Sequence, residues 1–396
     1  MSSKMTYTTA LAMALITTAI SSNFVTPFSS TLQADNKTDK QAYFAHLMFR
    51  ESPYSKYKGT YELSKEQASK RAHYRFSYDK QGRVIEVAHQ IGDTIIADNG
   101  NWDTFIWYGP KTTISYESGQ EIHQFYNIDN EPSISHGNVF KAVFEMDKKG
   151  NRESLAFFDE QNNPVNSQWG IQNYQWATDS EQRISEKRFN IKNEQVSIRP
   201  QFEFYEVRLK FDDSGKLSFV YNYGLESKPT NNDSGAGMDR IVYDKDNNFI
   251  RWQVYNKDGL AVEGNSPNVH LGEHLYDTEG NKIALRGFDR SGHQITFRWG
   301  FHEMANGYDS FGNLTSVQAL NEDGSQQFWI ETDFNEAGVR KLLTKGLDEQ
   351  GNLAANRRFR GAAAIRHNYE GDSNISTGFT RLDKDLQPIT AETNAQ

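Results

Sequence analysis

The chain contains no cysteine. That excludes disulfides, thiolate metal sites, cysteine nucleophiles and a lipid-modified cysteine, so stability has to come from packing and strand pairing. No apolar run beyond the N-terminal region approaches the length of a membrane-spanning helix. Basic runs of five or more residues are also missing, and the formal net charge is −9. Nucleic acid and anionic membrane surfaces are therefore not expected partners, because phosphate binding needs clustered Lys and Arg. The excess of acids argues chiefly for solubility. Apolar residues make up only 36 % of the sequence, too few for one deep aliphatic core.

Aromatic residues, by contrast, reach 13 %, and there are 29 glycines among many Asn and Asp. This combination suits a thin β-architecture with numerous turns, in which Tyr, Phe and Trp cover the sheet faces. Residues 1–34 read as a signal-peptide region. Lys4 is the only charge before Asp35, Ala10 to Ile16 is apolar, and Ala19-Ile20-Ser21 places small residues ahead of a cut after Ser21. The alternative cut after Ala34 puts Leu32 where a small residue is wanted. The expected location is secreted or periplasmic, with no integral membrane segment left after cleavage.

Residues 35–73 form an entry segment, expected as a short helical cap. Asp39 to Phe49 can place Tyr43, Leu47 and Phe44 on one helical side, and Ser64-Lys65-Glu66-Gln67 has the spacing of a capping box opening about two turns of helix. From Tyr74 the period becomes two: Tyr74, Phe76 and Tyr78 alternate with polar residues, then Asp79-Lys80-Gln81-Gly82 turns the chain.

An internal repeat follows. Asp147, Asp179, Asp212, Asp244, Asp277 and Asp309 are separated by 32, 33, 32, 33 and 32 residues. A second turn comes later in each unit, at Asp159, Asn190, Asn222, Asn256, Asp289 and Asn321. Trp169-Gly170 and Trp299-Gly300 repeat the same register 130 residues, or four periods, apart. Alternate positions before the first turns are apolar, as in Phe140, Ala142, Phe144 and Met146, while Arg251, Gln253, Arg286 and Gln318 fall on the opposite face of the intervening strands. One face is buried and one is wet, the antiparallel pattern. The fold expected is all-β: an elongated array of antiparallel β-hairpin repeats over residues 74–352, with a degenerate C-terminal repeat and tail over 353–396. A loop at Glu226 to Met238 replaces part of one repeat.

The Tyr-Asp-x-x-Gly-Asn units at 276–281 and 308–313 resemble the YD repeats of the Rhs family. The resemblance implies a coiling β-sheet shell, secreted or surface-associated. It carries no catalytic residue, because the shared motif is structural.

Signatures of chemistry are weak. His270-Leu271-Gly272-Glu273-His274 matches H-x-x-E-H, but that pattern grips zinc only on a helix, and strand residues four apart are about 13 Å from each other. Asp244-Lys245-Asp246-Asn247-Asn248 starts like a calcium loop, yet Phe249 stands where Gly is required. His123, His136, His293 and His302 are scattered over repeat positions. No G-x-S-x-G elbow, Walker loop or dinucleotide fingerprint occurs. Neither a cofactor nor a metal is expected. The ligand-binding candidates are aromatic: Trp102, Phe105, Trp107, Tyr108, Trp169 and Trp299, whose ring faces suit glycans or peptide anchors. The expected function is an exported, non-catalytic scaffold binding a protein or glycan partner through its solvated sheet face. The alternatives are a secreted glycan-active hydrolase or lyase drawing carboxylates from different repeats, and a self-associating envelope element.

Overall fold

The unit of construction is the turn that closes each hairpin, and Asp277 shows how it works. Its backbone N–H donates to Asn281 O (3.0 Å), and its Oδ1 accepts from the N–H groups of Glu279 and Asn281, both at 2.9 Å. The Asn281 Nδ2 returns a bond to Asp277 Oδ2 (2.8 Å), and Gly280 supplies the positive φ of +83° that the third turn position needs. A β-bulge between Leu275 and Tyr276 aims the motif tyrosine at the preceding unit. Tyr276 donates its hydroxyl to Phe249 O (3.0 Å), and Tyr308 and Tyr369 make the same reach to Lys282 O (2.8 Å) and Lys341 O (3.0 Å). The tyrosine thus staples consecutive units as well as covering the sheet.

The structure is a computed structural model that describes residues 40–101, 109–135, 137–199 and 202–389. Among them, 24 strands join into a single antiparallel sheet. Gly59–Leu63 lies at one edge, followed by Lys40–Leu47, Ala72–Tyr78 and Val84–Ile91. From there the strands run in chain order, each beside its predecessor, to Ser376–Leu382. Two short strands, Thr94–Ile95 and Gln294–Ile295, pair back onto their own hairpins. No helix of the described residues is long and apolar enough to cross a membrane.

The expected alternation holds: Ala142, Phe144, Val207, Leu209 and Val254 are buried, and Arg251 and Arg286 lie on the wet face. The capping box at Ser64 and Gln67 forms in both directions (3.1 and 2.8 Å), although the helix it opens is a single turn, Lys65–Ala68. The helix expected over Asp39 to Phe49 is instead the strand Lys40–Leu47. Both faces of that strand are covered, with Ala42 and Leu47 buried and Phe44 set edge-on to Phe76, so no polar–apolar alternation marks it in the sequence. The 226–238 segment is itself organised by a turn on Asn232, whose Oδ1 accepts from Ser234 N and Ala236 N at 3.1 Å.

Candidate functional site

The first two strands are joined by a loop, residues 48–58, whose ends meet through Met48 N and Lys58 O (2.9 Å). This loop is inserted against the inner face of the sheet. Phe49 stacks on Phe249 with ring centroids 4.2 Å apart, Tyr54 sets edge-on to Trp176, and Tyr57 stacks on His123. Phe49 belongs to one core cluster with Phe204, Val207, Leu209 and Val254, while Tyr54 packs against that cluster and also against the neighbouring one around Phe144 and Trp176.

Charged side chains of the inner face meet the loop backbone. Arg152, buried, donates to Pro53 O (2.5 Å) and Ser55 O (3.1 Å) and is ion-paired with buried Glu121. His123 shares the same carboxylate at 2.8 Å. One step along, Glu186 accepts from Ser52 Oγ and from Trp176 Nε1 (2.8 Å), and pairs with Arg188 (2.5 Å), which reaches on to Phe204 O (2.9 Å). Glu51, from the loop itself, pairs with Arg199. Burial alone would raise the Glu121 acid, but the Arg152 guanidinium and His123 hold it well below the usual carboxylate range. Burial raises Glu51 against the pull of Arg199, and half-buried Asp239, desolvated and beside the Glu51 carboxylate, is pushed up to about 7.

This network was not anticipated. A signal for it exists, since Glu121-x-His123 and Glu186-x-Arg188 each put two polar, titratable side chains on the strand face that otherwise carries Phe125 or Ile184. What the arrangement does chemically is neutralise itself. Glu121 and Glu186 are each tied to a cation and turned onto the protein's own loop, and Glu51 of that loop is tied to Arg199, so among the described residues these three inner carboxylates are committed to structural pairs.

A second set of contacts closes the coil on its first-turn rim. Ala72 N donates to Phe311 O (2.8 Å) and Leu314 N to Asn99 O (3.0 Å). Asn101 Nδ2 donates to Asn281 Oδ1 (2.8 Å), Asn99 Nδ2 to Asn313 Oδ1 (3.0 Å), and Asn248 Nδ2 to Tyr61 Oη (2.7 Å). The motif asparagines that look like turn formers are therefore also buried joints, Asn313 completely so at 0 % exposure. Beyond this seam a groove of about 270 Å³ remains, with Ile96, Asp98, Phe334, Lys341, His367 and Tyr369 among its walls. Burial and the Lys341 charge lower His367 to about 4, so it is neutral there.

Of the aromatic candidates, Trp102, Phe105, Trp107 and Tyr108 lie outside the described residues, as does His136. Trp169 and Trp299 are half-buried in matching loops after the second turns. Trp169 packs on the cluster around Phe157 and Ile171, and Trp299 stacks on Phe297 while donating to Ser266 Oγ (3.2 Å). They occupy equivalent positions, as the register requires, but do not come together. In the H-x-x-E-H stretch, His270 and His274 each bond a neighbouring carbonyl, Val254 O and Phe249 O, at 2.8 Å, and Glu273 pairs with Arg251 on the other face. Asp244 spends its oxygens on Asp246 N, Asn248 N and Asn248 Nδ2, the same turn as its siblings.

No known protein family matches the chain, and no curated protein does. Among solved structures it is similar to a porin-like protein from Bacteroides uniformis ATCC 8492, at 9 % identity and a TM-score of 0.24 over 69 % of this chain and 88 % of that one. It is also similar to a chain of the TcdB2–TccC3–TEV structure (9 % identity, TM-score 0.17, 78 % of this chain and 17 % of that one). A chain of the Photorhabdus luminescens Tc holotoxin pore gives 10 % identity and a TM-score of 0.23 over 81 % and 20 % of the respective chains. Scores this low carry no argument about family or activity.

Proposed function

We propose that the protein is an exported, non-catalytic repeat scaffold that binds a protein or glycan partner from its solvated exterior. One observation carries the reading: the inner face, where an enzyme or carrier built on a coiled sheet would keep its site, is filled by residues 48–58 and electrically satisfied by them. The exterior is built differently. Arg251, Glu273, Arg286 and Glu303 face one another in sequence across four strands, a solvated ladder of alternating charge. Such rows keep a wide sheet face soluble and supply hydrogen-bonding groups at strand spacing. Export rests on the N-terminal signal pattern. The test is a turnover assay of the purified mature protein against a broad panel of glycans and peptides. No steady product formation is expected; sustained hydrolysis or elimination of any member would overturn the scaffold reading.

A further inference from the structure

The second-turn rim differs from the rest of the surface in a regular way. Six consecutive repeats each place one apolar side chain there: Ile134, Trp169, Ile191, Leu225, Leu260 and Trp299. The aliphatic members are 65 %, 55 %, 61 % and 66 % exposed, more than any other large apolar side chain of the described residues. Four of the five junctions between these repeats are bridged by a hydrogen bond. Gln168 N donates to Gly137 O (2.9 Å), Ile191 N to Asn166 Oδ1 (2.8 Å), Lys257 N to Asn231 Oδ1 (2.6 Å) and Arg298 N to Pro267 O (2.9 Å). Exposed apolar groups in a series mark interaction surfaces rather than ordinary scatter.

Charge and spacing define what fits. The seven second turns, 127–131, 159–163, 190–194, 222–226, 256–260, 289–293 and 321–325, hold ten acids against three bases. Two of those bases are already paired, Lys257 with Asp258 and Arg290 with Glu263. Backbone N–H bonds hold Asp159 and Asp289 below the usual carboxylate range. Each repeat is two strands wide, so successive second turns step by about 10 Å. Seven residues of α-helix rise by about the same distance.

We propose that this rim docks a basic amphipathic helix of a protein partner, one heptad-spaced apolar side chain of the helix meeting each repeat. The inference deepens the scaffold reading and rests on it. Anionic lipid is excluded as the occupant by like charge.

The experiment is fluorescence anisotropy with a labelled three-heptad peptide bearing leucine at heptad spacing and lysine at its other charged positions. The purified protein is compared with the combined variant Ile191→Ser, Leu225→Ser, Leu260→Ser and with a control variant, Ile283→Ser, Leu342→Ser, away from this rim. The rim variant is expected to bind at least about tenfold more weakly, and the control variant to bind normally. A glutamate version of the peptide and a scrambled one of the same composition are expected to bind much more weakly. Circular dichroism confirms the fold of the variant; if the triple change unfolds it, Leu225→Ser alone is read in its place. Equal binding by the rim variant, or by the scrambled peptide, would overturn the proposal by reducing the interaction to bulk charge. Rim-dependent binding to phosphatidylglycerol vesicles would overturn it too, in favour of a membrane. None of these failures touches the scaffold reading, which falls only to catalytic turnover.

Discussion

At Asp277 and at Asp289 the chain makes the same turn. Asp289 N donates to His293 O (2.9 Å), and its Oδ1 accepts from Ser291 N (2.8 Å) and His293 N (2.9 Å), matching Asp277 bond for bond. Gly280 and Gly292 sit at φ values of +83° and +85°. The surroundings are opposite. The Asp277 turn is clamped by His46, which bonds Glu279 O (2.9 Å), by Arg71, which pairs with Glu279 (2.9 Å), and by Asn101. The Asp289 turn stands in solvent, held from outside mainly through Arg290 and Glu263. Local turn chemistry therefore fixes the hairpin at both rims, and in the later repeats the residue at the fifth position differs between them. Asn248, Asn281 and Asn313 are buried joints on the first-turn rim, whereas Leu260 and His293 are exposed on the second. One rim serves the protein's own closure, and the other is left free for something else.

The largest effect expected comes from the loop that the closed coil encloses. Arg152→Met leaves buried Glu121 with only the His123 ring for a partner and releases the carbonyls of Pro53, Tyr54 and Ser55, and should lower stability by about 3–5 kcal/mol in denaturant titrations. The two rims can then be set against each other directly. Gly292→Ala meets no neighbour and should lose only the left-handed strain of about 1–2 kcal/mol, while an added Cβ at Gly280 runs into the rings of Tyr61 and His46. Gly280→Ala should lose roughly a further 1–3 kcal/mol from that overpacking, and equal losses at the two glycines would mean the first-turn rim is not closed. Tyr276→Phe removes a single staple to Phe249 O and should cost about 1 kcal/mol by thermal unfolding.

Asp239 links the interior to the open rim, since Asn265 Nδ2 donates to both of its oxygens (3.0 and 3.1 Å) while Glu51 and Arg199 face it from inside. Its folded acid is raised from 3.8 to about 7, so it favours the native state when protonated. That contribution is complete below the unfolded value and is lost as pH rises through the folded one. Asp239→Asn should therefore gain on the natural protein steadily between pH 4 and about 7. A difference in stability that stayed constant across this window would contradict the assignment.

Much of this architecture was legible because turns advertise themselves. The six acids from Asp147 to Asp309 fall where the hairpins turn, and the alternation at Phe144 or Leu209 gives the buried face. The entry strand was hidden because Tyr43, Phe44 and Leu47 are apolar on both of its faces, and a strand covered on both sides has lost its period of two. The closing seam was hidden for another reason. Asn281 and Asn313 have a sufficient local role in the turn, and nothing nearby in the chain hints that Asn101 and Asn99, 180 and 214 residues away, complete their hydrogen bonding. The inner ionic network carried a faint mark in Glu121-x-His123 and Glu186-x-Arg188, but the loop it meets offers mostly backbone carbonyls to Arg152, which have no side-chain signature. Of the site candidates, Trp169 and Trp299 were recognisable from their four-period spacing as equivalent positions of two repeats, and the structure supplied their place on the second-turn rim and the aliphatic residues between them.

The claim on which the rest depends is that the coiled sheet closes on its own N-terminal strands along the first-turn rim. The absence of cysteine makes it directly measurable. Asn101→Cys combined with Asn281→Cys, treated with a short bis-maleimide, should give an intramolecular cross-link in dilute protein, while Asn101→Cys with Gly292→Cys should not. Cross-linking of the second pair as readily as the first, or failure of the first with both thiols freely labelled, would contradict the closed coil.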